Sequence, residues 1–354
     1  MKSRRIPAPF ANQTTTGEFP RADIYVISDA AYSAVSKDTN TGLPLIDPQT
    51  SLGLQSPVSV KRKVRDVIDA IFNGVGSTPN GHNIYVKNGA VLNEAHAAAY
   101  AALGCSTVIE ADQPEEPAPE PVTESEGDDG KKKKGKKGST RTKVSTIDKS
   151  RLTAYMCEKY WDIRVFGAMM ETQIRCGRVT GPVQVGYGRS IEQVRIRHQQ
   201  VSRCAITTTK DAKTKESTFG DAPVIPYAMY MLPLFINSDF ARKTGFSRTD
   251  MEELVNALRC CFDMTRSTSR PECSTLRVVI FEHEKPTGCA HAHTLRDLIT
   301  IKRITDGATP ARSCKDFQIE VDYDNVPEGV RVIDIDNLTG VEHVKSRWTT
   351  DNVQ

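Results

Sequence analysis

The chain has 354 residues, 38% of them hydrophobic and 26% charged, with a formal net charge of +3. That length supports about one to three domains and a large core, and no apolar run is long enough to span a bilayer. The near-neutral balance excludes a strongly basic body, so any nucleic-acid site must come from local clusters.

The N-terminal stretch MKSRRIPAPFANQ is basic but has no apolar h-region, so a secretory leader is not expected. Nine cysteines show no framework spacing, which fits reduced thiols in a cytoplasmic protein. Residues 1–20 read as a flexible tail. ADIYVISD (22–29) alternates and is rich in Ile, Val and Tyr, which predicts a strand. A loop over 30–55 follows, with Asn40, Gly42, Pro44, Pro48 and Gly53. Ser56 and Pro57 then read as N-cap and first residue of a helix running to about 73. Val60, Val64, Val67, Ile68 and Ile71 form its apolar face.

Lys61, Arg62, Lys63 and Arg65 crowd the first turns of that helix. A helix start already carries partial positive charge, so the placement is unfavourable by itself. An anionic ligand would relieve the conflict. A solvated basic face is the competing reading.

Residues 83–87 (NIYVK) read as a short strand, and 92–103 as a helix ended by Gly104. Residues 110–150 are low complexity, with nine acids in 110–129 and eight bases in 131–143. Such a segment buries too little apolar surface to offset its ordering entropy, so a disordered insertion is expected. Within it GKKKKGK (130–136) meets most of a phosphate-loop pattern. Lys137 follows where Ser or Thr is needed, and no strand precedes it, so a nucleotide site is not expected.

A helix is predicted around 150–159, then strands within WDIRVFGAMM (161–170) and GPVQVGYGRS (181–190). Alternation over 199–208, a polar loop at 209–221 and the return through APVIPYAMYMLPLFI predict a long β-hairpin. Residues 249–264 read as a helix, with Thr249 and Glu252 as capping box and Met251, Leu254, Val255, Leu258 and Phe262 as buried face. The loop 265–275 leads to a strand at 276–283. A helix at 292–303 and strands near 317–322 and 330–335 follow. Strands and helices mix without regular βαβ alternation, so the class is α+β.

Cys273, His283, Cys289, His291 and His293 raise the question of a metal, but no CxxC pair completes a zinc arrangement. Gly186 and Gly188 do not complete a dinucleotide fingerprint, and GYGRS is not a nucleophile elbow. Asp29 and Asp38 are the carboxylates that could serve phosphodiester cleavage, or simply end a strand and a turn. Arg164, Arg175, Arg178, Arg189, Arg195, Arg197, Arg203, Arg266 and Arg270, among Gly-rich turns, suit sequence-independent contact with a phosphate backbone.

Seven segments in order carry a family resemblance: 46–68 (IDPQTSLGLQSPVSVKRKVRDVI), 83–100, 155–170, 181–191, 226–236, 244–258 and 263–283. Together they resemble the type I-C CRISPR backbone subunit, the Cas-seven family member repeated along the guide RNA of the Cascade surveillance complex. The loop AAYSAVSKDTNTG (30–42) and the charged insertion depart from the family pattern, and residues 304–354 resemble it least.

The resemblance implies a hand-shaped α+β protein with an RRM-like, ferredoxin-like palm. The first palm strand would be 21–29, and a helical fingers region 30–155 would contain the insertion 110–150. Palm would resume at 156–191, a β-hairpin thumb would occupy 192–226, palm would continue over 227–340, and 341–354 would be a tail. It implies a non-catalytic subunit without cofactor or metal that polymerises head to tail on crRNA and presents the guide to target DNA. Further partners would be the other type I-C Cascade subunits: the repeat-end processing subunit, the large subunit and the small subunit.

By the same resemblance the RNA-binding residues would be Lys61, Arg62, Lys63, Arg65, Met169, Gln184, Arg189, Ser190 and Arg203. Met169 would be the apolar wedge beside a displaced base, with Met170 as the register alternative. Arg266 and Arg270 would touch the target strand. The competing function is a metal-dependent RNA endonuclease using Asp29 or Asp38, as in related type III complexes.

Overall fold

In the computed structural model, the described residues are 19–73, 81–105, 149–203 and 218–349. The expected tail 1–20, the insertion 110–150 with its GKKKKGK run, and the tip of the 192–226 hairpin fall wholly or largely outside them.

Three twelve-residue strands make the centre of the molecule: β1 (Ala22–Ser33), β9 (Ile225–Ile236) and β10 (Glu272–His283). β1 lies between the other two and pairs antiparallel with both. The sheet extends on one side through β13 (Val330–Asp336) to β14 (Val341–Ser346). On the other side β6 (Gly188–Gln193) and β2 (Leu52–Gln55) follow β9, and β5 (Val183–Val185) pairs with β9 beside them. Successive side chains of a strand point to opposite faces. Ala22, Ile24 and Val26 enter one core, and Tyr25 and Ile27 enter another.

The first core lies under α1 (Pro57–Asn73) and α6 (Arg248–Met264). α1 contributes Val60, Val64, Val67 and Ile68, and α6 contributes Met251, Leu254, Val255, Leu258 and Phe262. Full burial of each such side chain stabilises by about 1.5–3 kcal/mol. The second core is closed by α7 (Ala292–Asp297) and the hairpin of β11 (Ile299–Arg303) and β12 (Phe317–Val321). A third core joins α2 (Leu92–Ala102), α3 (Lys149–Lys159), α4 (Trp161–Phe166), β3 (Gly167–Glu171) and β4 (Arg175–Thr180). It spans Tyr85 to Cys176 and so runs across the expected boundary at 155/156. The last hairpin, β7 (Gln200–Arg203) with β8 (Thr218–Asp221), leaves the sheet after β6 and returns into β9.

Several expectations change. Residues 161–166, predicted as strand, form α4. Their alternation misleads because both polar members are ion-paired inside the protein: Asp162 with Arg65, and Arg164 with Asp250. The loop 30–55 ends in β2. The helix predicted over 292–303 stops at Asp297, and Ile299–Arg303 is a strand. The expected tail 341–354 contributes β14, paired with β13. The capping box of α6 is Ser247 with Asp250, not Thr249 with Glu252. Asp250 also holds Arg164 at 2.7 Å, which fixes the cap at the earlier position.

Gly167 (φ +75°) and Gly181 cross backbone to backbone, and a Cβ on either would clash with main-chain atoms of the other. This contact seats the β3–β4 hairpin. Gly181→Ala is expected to destabilise the fold by about 3 kcal/mol or more, read by urea unfolding.

Candidate nucleic-acid interface

α1 begins where the sequence places it. The Ser56 hydroxyl accepts from the Ser59 amide at 3.2 Å, and the Ser56 amide donates to the Ser36 hydroxyl at 2.9 Å. No acid occupies the first turn. The apolar face fixes the rotation of the helix, so the four cations fall into different surroundings.

Lys61 and Arg65, one helical turn apart, share a face. Lys61 Nζ and Arg65 Cζ each lie 5.3 Å from the centre of the Phe166 ring, a cation–π arrangement. Arg65 also donates to Asp162 at 2.7 Å and is mostly buried. Partial burial, with the Arg65 charge second, lowers the Lys61 pKa. Arg62 is exposed and pairs with Asp66 at 2.7 Å, a contact that water and salt weaken. Lys63 turns inward and is 3% exposed. Its ammonium donates to the Ser59 hydroxyl at 2.7 Å and sits 5.7 Å from the Phe262 ring.

The β3–β4 hairpin turns the two methionines to opposite faces. Met169 is 68% exposed and stands opposite Arg178, whereas Met170 is fully buried in the third core. Gln184 is exposed on β5, and its amide donates to Gly181 O at 2.8 Å. Through Phe166, Gly167 and Gly181, the Lys61 face of α1 is continuous with this hairpin. Arg189 is exposed on β6, opposite Leu54 of β2, the strand that feeds α1. Ser190 is buried: its hydroxyl accepts from Gly53 N at 2.9 Å and donates to Glu192 O at 2.5 Å. Ser190 is therefore a fold residue that holds β2 on the sheet. Arg203 lies on β7, away from α1 in the pairing pattern.

Arg266 and Arg270 follow α6. Arg266 is exposed and pairs with Asp263 at 2.8 Å. Arg270 is half-buried, and its Nε has no hydrogen-bond partner among the described residues. The Ala34 amide donates to Ser269 O at 2.8 Å and so brings this loop to the end of β1 beside α1. Lys63 and Arg270, read in sequence as parts of two separate sites, are neighbours. Sequence reasoning missed Phe166, on which two cations rest, and Ser59. It also missed Tyr32, which is 47% exposed at φ +43° near the end of β1. A non-glycine residue in that backbone region is rarely placed without reason.

A family model for CRISPR-associated protein Cas7 matches residues 20–322. The chain belongs to that family. The matched span contains every candidate residue named above, while β13 and β14 lie beyond it. Among solved structures, a chain described as "CRISPR RNA-guided surveillance complex, pre-nicking" is similar at 14% identity. That match has a TM-score of 0.42 and covers 74% of this chain and 78% of the other. A second, "CRISPR RNA-guided surveillance complex", has 13% identity and a TM-score of 0.39, covering 74% and 68%. No curated protein matches the Cas7 chain.

The carboxylates considered for cleavage are engaged in the fold. Asp38 accepts from Asn40 N at 2.9 Å and from the Thr41 hydroxyl at 3.1 Å, closing a turn. Asp29 accepts from the Tyr227 hydroxyl at 3.2 Å, and burial raises its pKa. Cys273 and His283 lie near opposite ends of β10. Among the described residues no three His, Cys, Asp or Glu converge on a metal position.

Burial, with the Arg270 charge second, pushes the Lys63 pKa from 10.5 to about 8; Cys261, Cys273 and Asp66 also face it. Between those values the unfolded chain holds a proton that the folded one has lost, so the Lys63 contribution to stability rises with pH there. Wild type is expected to gain stability relative to Lys63→Met as pH rises from about 8 to 10.5, measured by paired urea melts. The methionines give a second expectation. Met170→Ala should cost about 2–5 kcal/mol in the same assay, and Met169→Ala almost nothing.

Proposed function

We propose that this chain is the crRNA-binding backbone subunit of a type I-C Cascade complex. On this reading it polymerises head to tail along the guide, protects it and presents it to target DNA. The observation that carries the reading is the Cas7 family match, which spans 20–322 and takes in the whole α1 neighbourhood. The chemistry there agrees with it. Exposed or half-exposed cations on a helix suit phosphates, which carry no sequence information, and a subunit that accepts every guide must grip the backbone rather than the bases. Readout then belongs to base pairing.

In this reading the main sheet is an RRM-like, ferredoxin-like palm, the third core belongs to the fingers, and the β7–β8 hairpin is the thumb. Lys61 and Arg62 hold the guide backbone, while Met169 beside Arg178 meets a displaced base. Partners are further copies of the chain, the repeat-end processing subunit, and the large and small subunits. The role is structural rather than catalytic, and the complex works in the cytoplasm.

Co-expression with a repeat–spacer array and the partner subunits should yield a multi-subunit particle holding uniform guide RNA, identified by sequencing. Heterogeneous cellular RNA would overturn the reading. Lys61→Glu with Arg62→Glu should abolish assembly while the free protein keeps its wild-type circular dichroism. Normal assembly by that double variant would count against the α1 grip.

A further inference from the structure

Lys63 is a buried ammonium that no carboxylate touches among the described residues. Its hydrogen bonds go to the Ser59 hydroxyl at 2.7 Å and the Ser59 carbonyl at 3.4 Å. Ser59 in turn donates to Val35 O at 3.4 Å. The adjacent residue, Ala34, donates its amide to Ser269 O, next to Arg270. These bonds bring α1 and the loop after α6 together across the end of β1, where the Arg270 charge acts on Lys63. The guanidinium Nε of Arg270 is buried and unpartnered. Like charges brought together and partly desolvated oppose folding. A protein keeps such a pair where an anion completes it, as buried charges are normally paired.

We infer that Lys63 and Arg270 form a single pocket for one phosphate group of the bound RNA. This rests on the RNA-binding reading above and changes it in one respect: Arg270 acts on the guide strand, not on the target. Lys63 supplies a point charge and Arg270 a planar donor fork, while Ser59 orients the ammonium. The site differs from the Lys61–Arg62 grip in the surroundings of its cations: Lys61 lies over Phe166 and Arg62 pairs with Asp66, whereas Lys63 lies over Phe262 beside the unpaired Arg270 Nε.

The test uses the full-length protein and a labelled, unstructured oligouridylate. Lys63→Met and Arg270→Gln should each weaken RNA binding roughly tenfold or more. The double variant should lose little beyond either single, because both groups grip one phosphate. The slope of log affinity against log salt should fall by about 0.7. Lys63→Met should also raise the melting temperature of the RNA-free protein at neutral pH, whereas loss of a merely structural lysine would lower it. Unchanged RNA affinity in both variants overturns the proposal. So does an Arg270→Gln complex that loads guide RNA normally and loses only single-stranded target DNA.

Should wild type ignore RNA altogether, the functional reading falls, and inorganic phosphate still decides the pocket. At constant ionic strength, phosphate should raise the melting temperature of wild type but of neither variant. No shift in wild type would overturn the pocket as well.

Discussion

Asp162 is the group on which the arrangement of the candidate interface depends. Its carboxylate is 1% exposed and takes three donors: Arg65 Nε at 2.7 Å, Tyr85 N at 2.8 Å and Val86 N at 3.1 Å. One donor comes from α1 and two from the segment 84–86, so one buried charge ties both to α4. A buried carboxylate is tolerable only when it is fully paired, and removing one partner of such a pair typically costs about 3–5 kcal/mol. Because Phe166 closes the same helix, the ring that supports Lys61 and Arg65 is placed by this interaction.

Two kinds of cation follow from that geometry. Arg65 and Arg164 are spent inside the protein, on Asp162 and Asp250. Arg62, Arg189 and Lys61 remain at or near the surface, where a polyanion could reach them. Counting basic residues along the chain cannot separate these groups. The distinction arises only when the apolar stripe of α1 fixes the rotation of the helix against the sheet.

How much was legible depended on whether the decisive signal was local. The bounds of α1 could be read because the cap, the proline and the apolar spacing sit within one segment. β1 and β10 could be read from their composition. α4 could not, since Asp162 and Arg164 look like the solvent side of a strand until their partners, Arg65 and Asp250, are known. The cap of α6 was read two residues late because Ser-x-x-Asp and Thr-x-x-Glu overlap there, and Arg164 selects the first. Ser190 looked like a ligand residue within GYGRS, but its hydroxyl is needed by Gly53 across the sheet edge. The neighbourhood of Lys63 and Arg270 was invisible in sequence, since β1 brings together segments some two hundred residues apart.

The paired methionines on β3 carry a consequence for how the surface is specified. Along a strand the side-chain period is two, so adjacent residues must face opposite ways. One methionine sealed in the third core therefore dictates that its neighbour is displayed. The irregularity after Met170 absorbs the extra residue on the distal side, away from the displayed position. Orientation of the outward side chain is thus a matter of parity, set by the core and insulated from changes in the length of the hairpin's outer end.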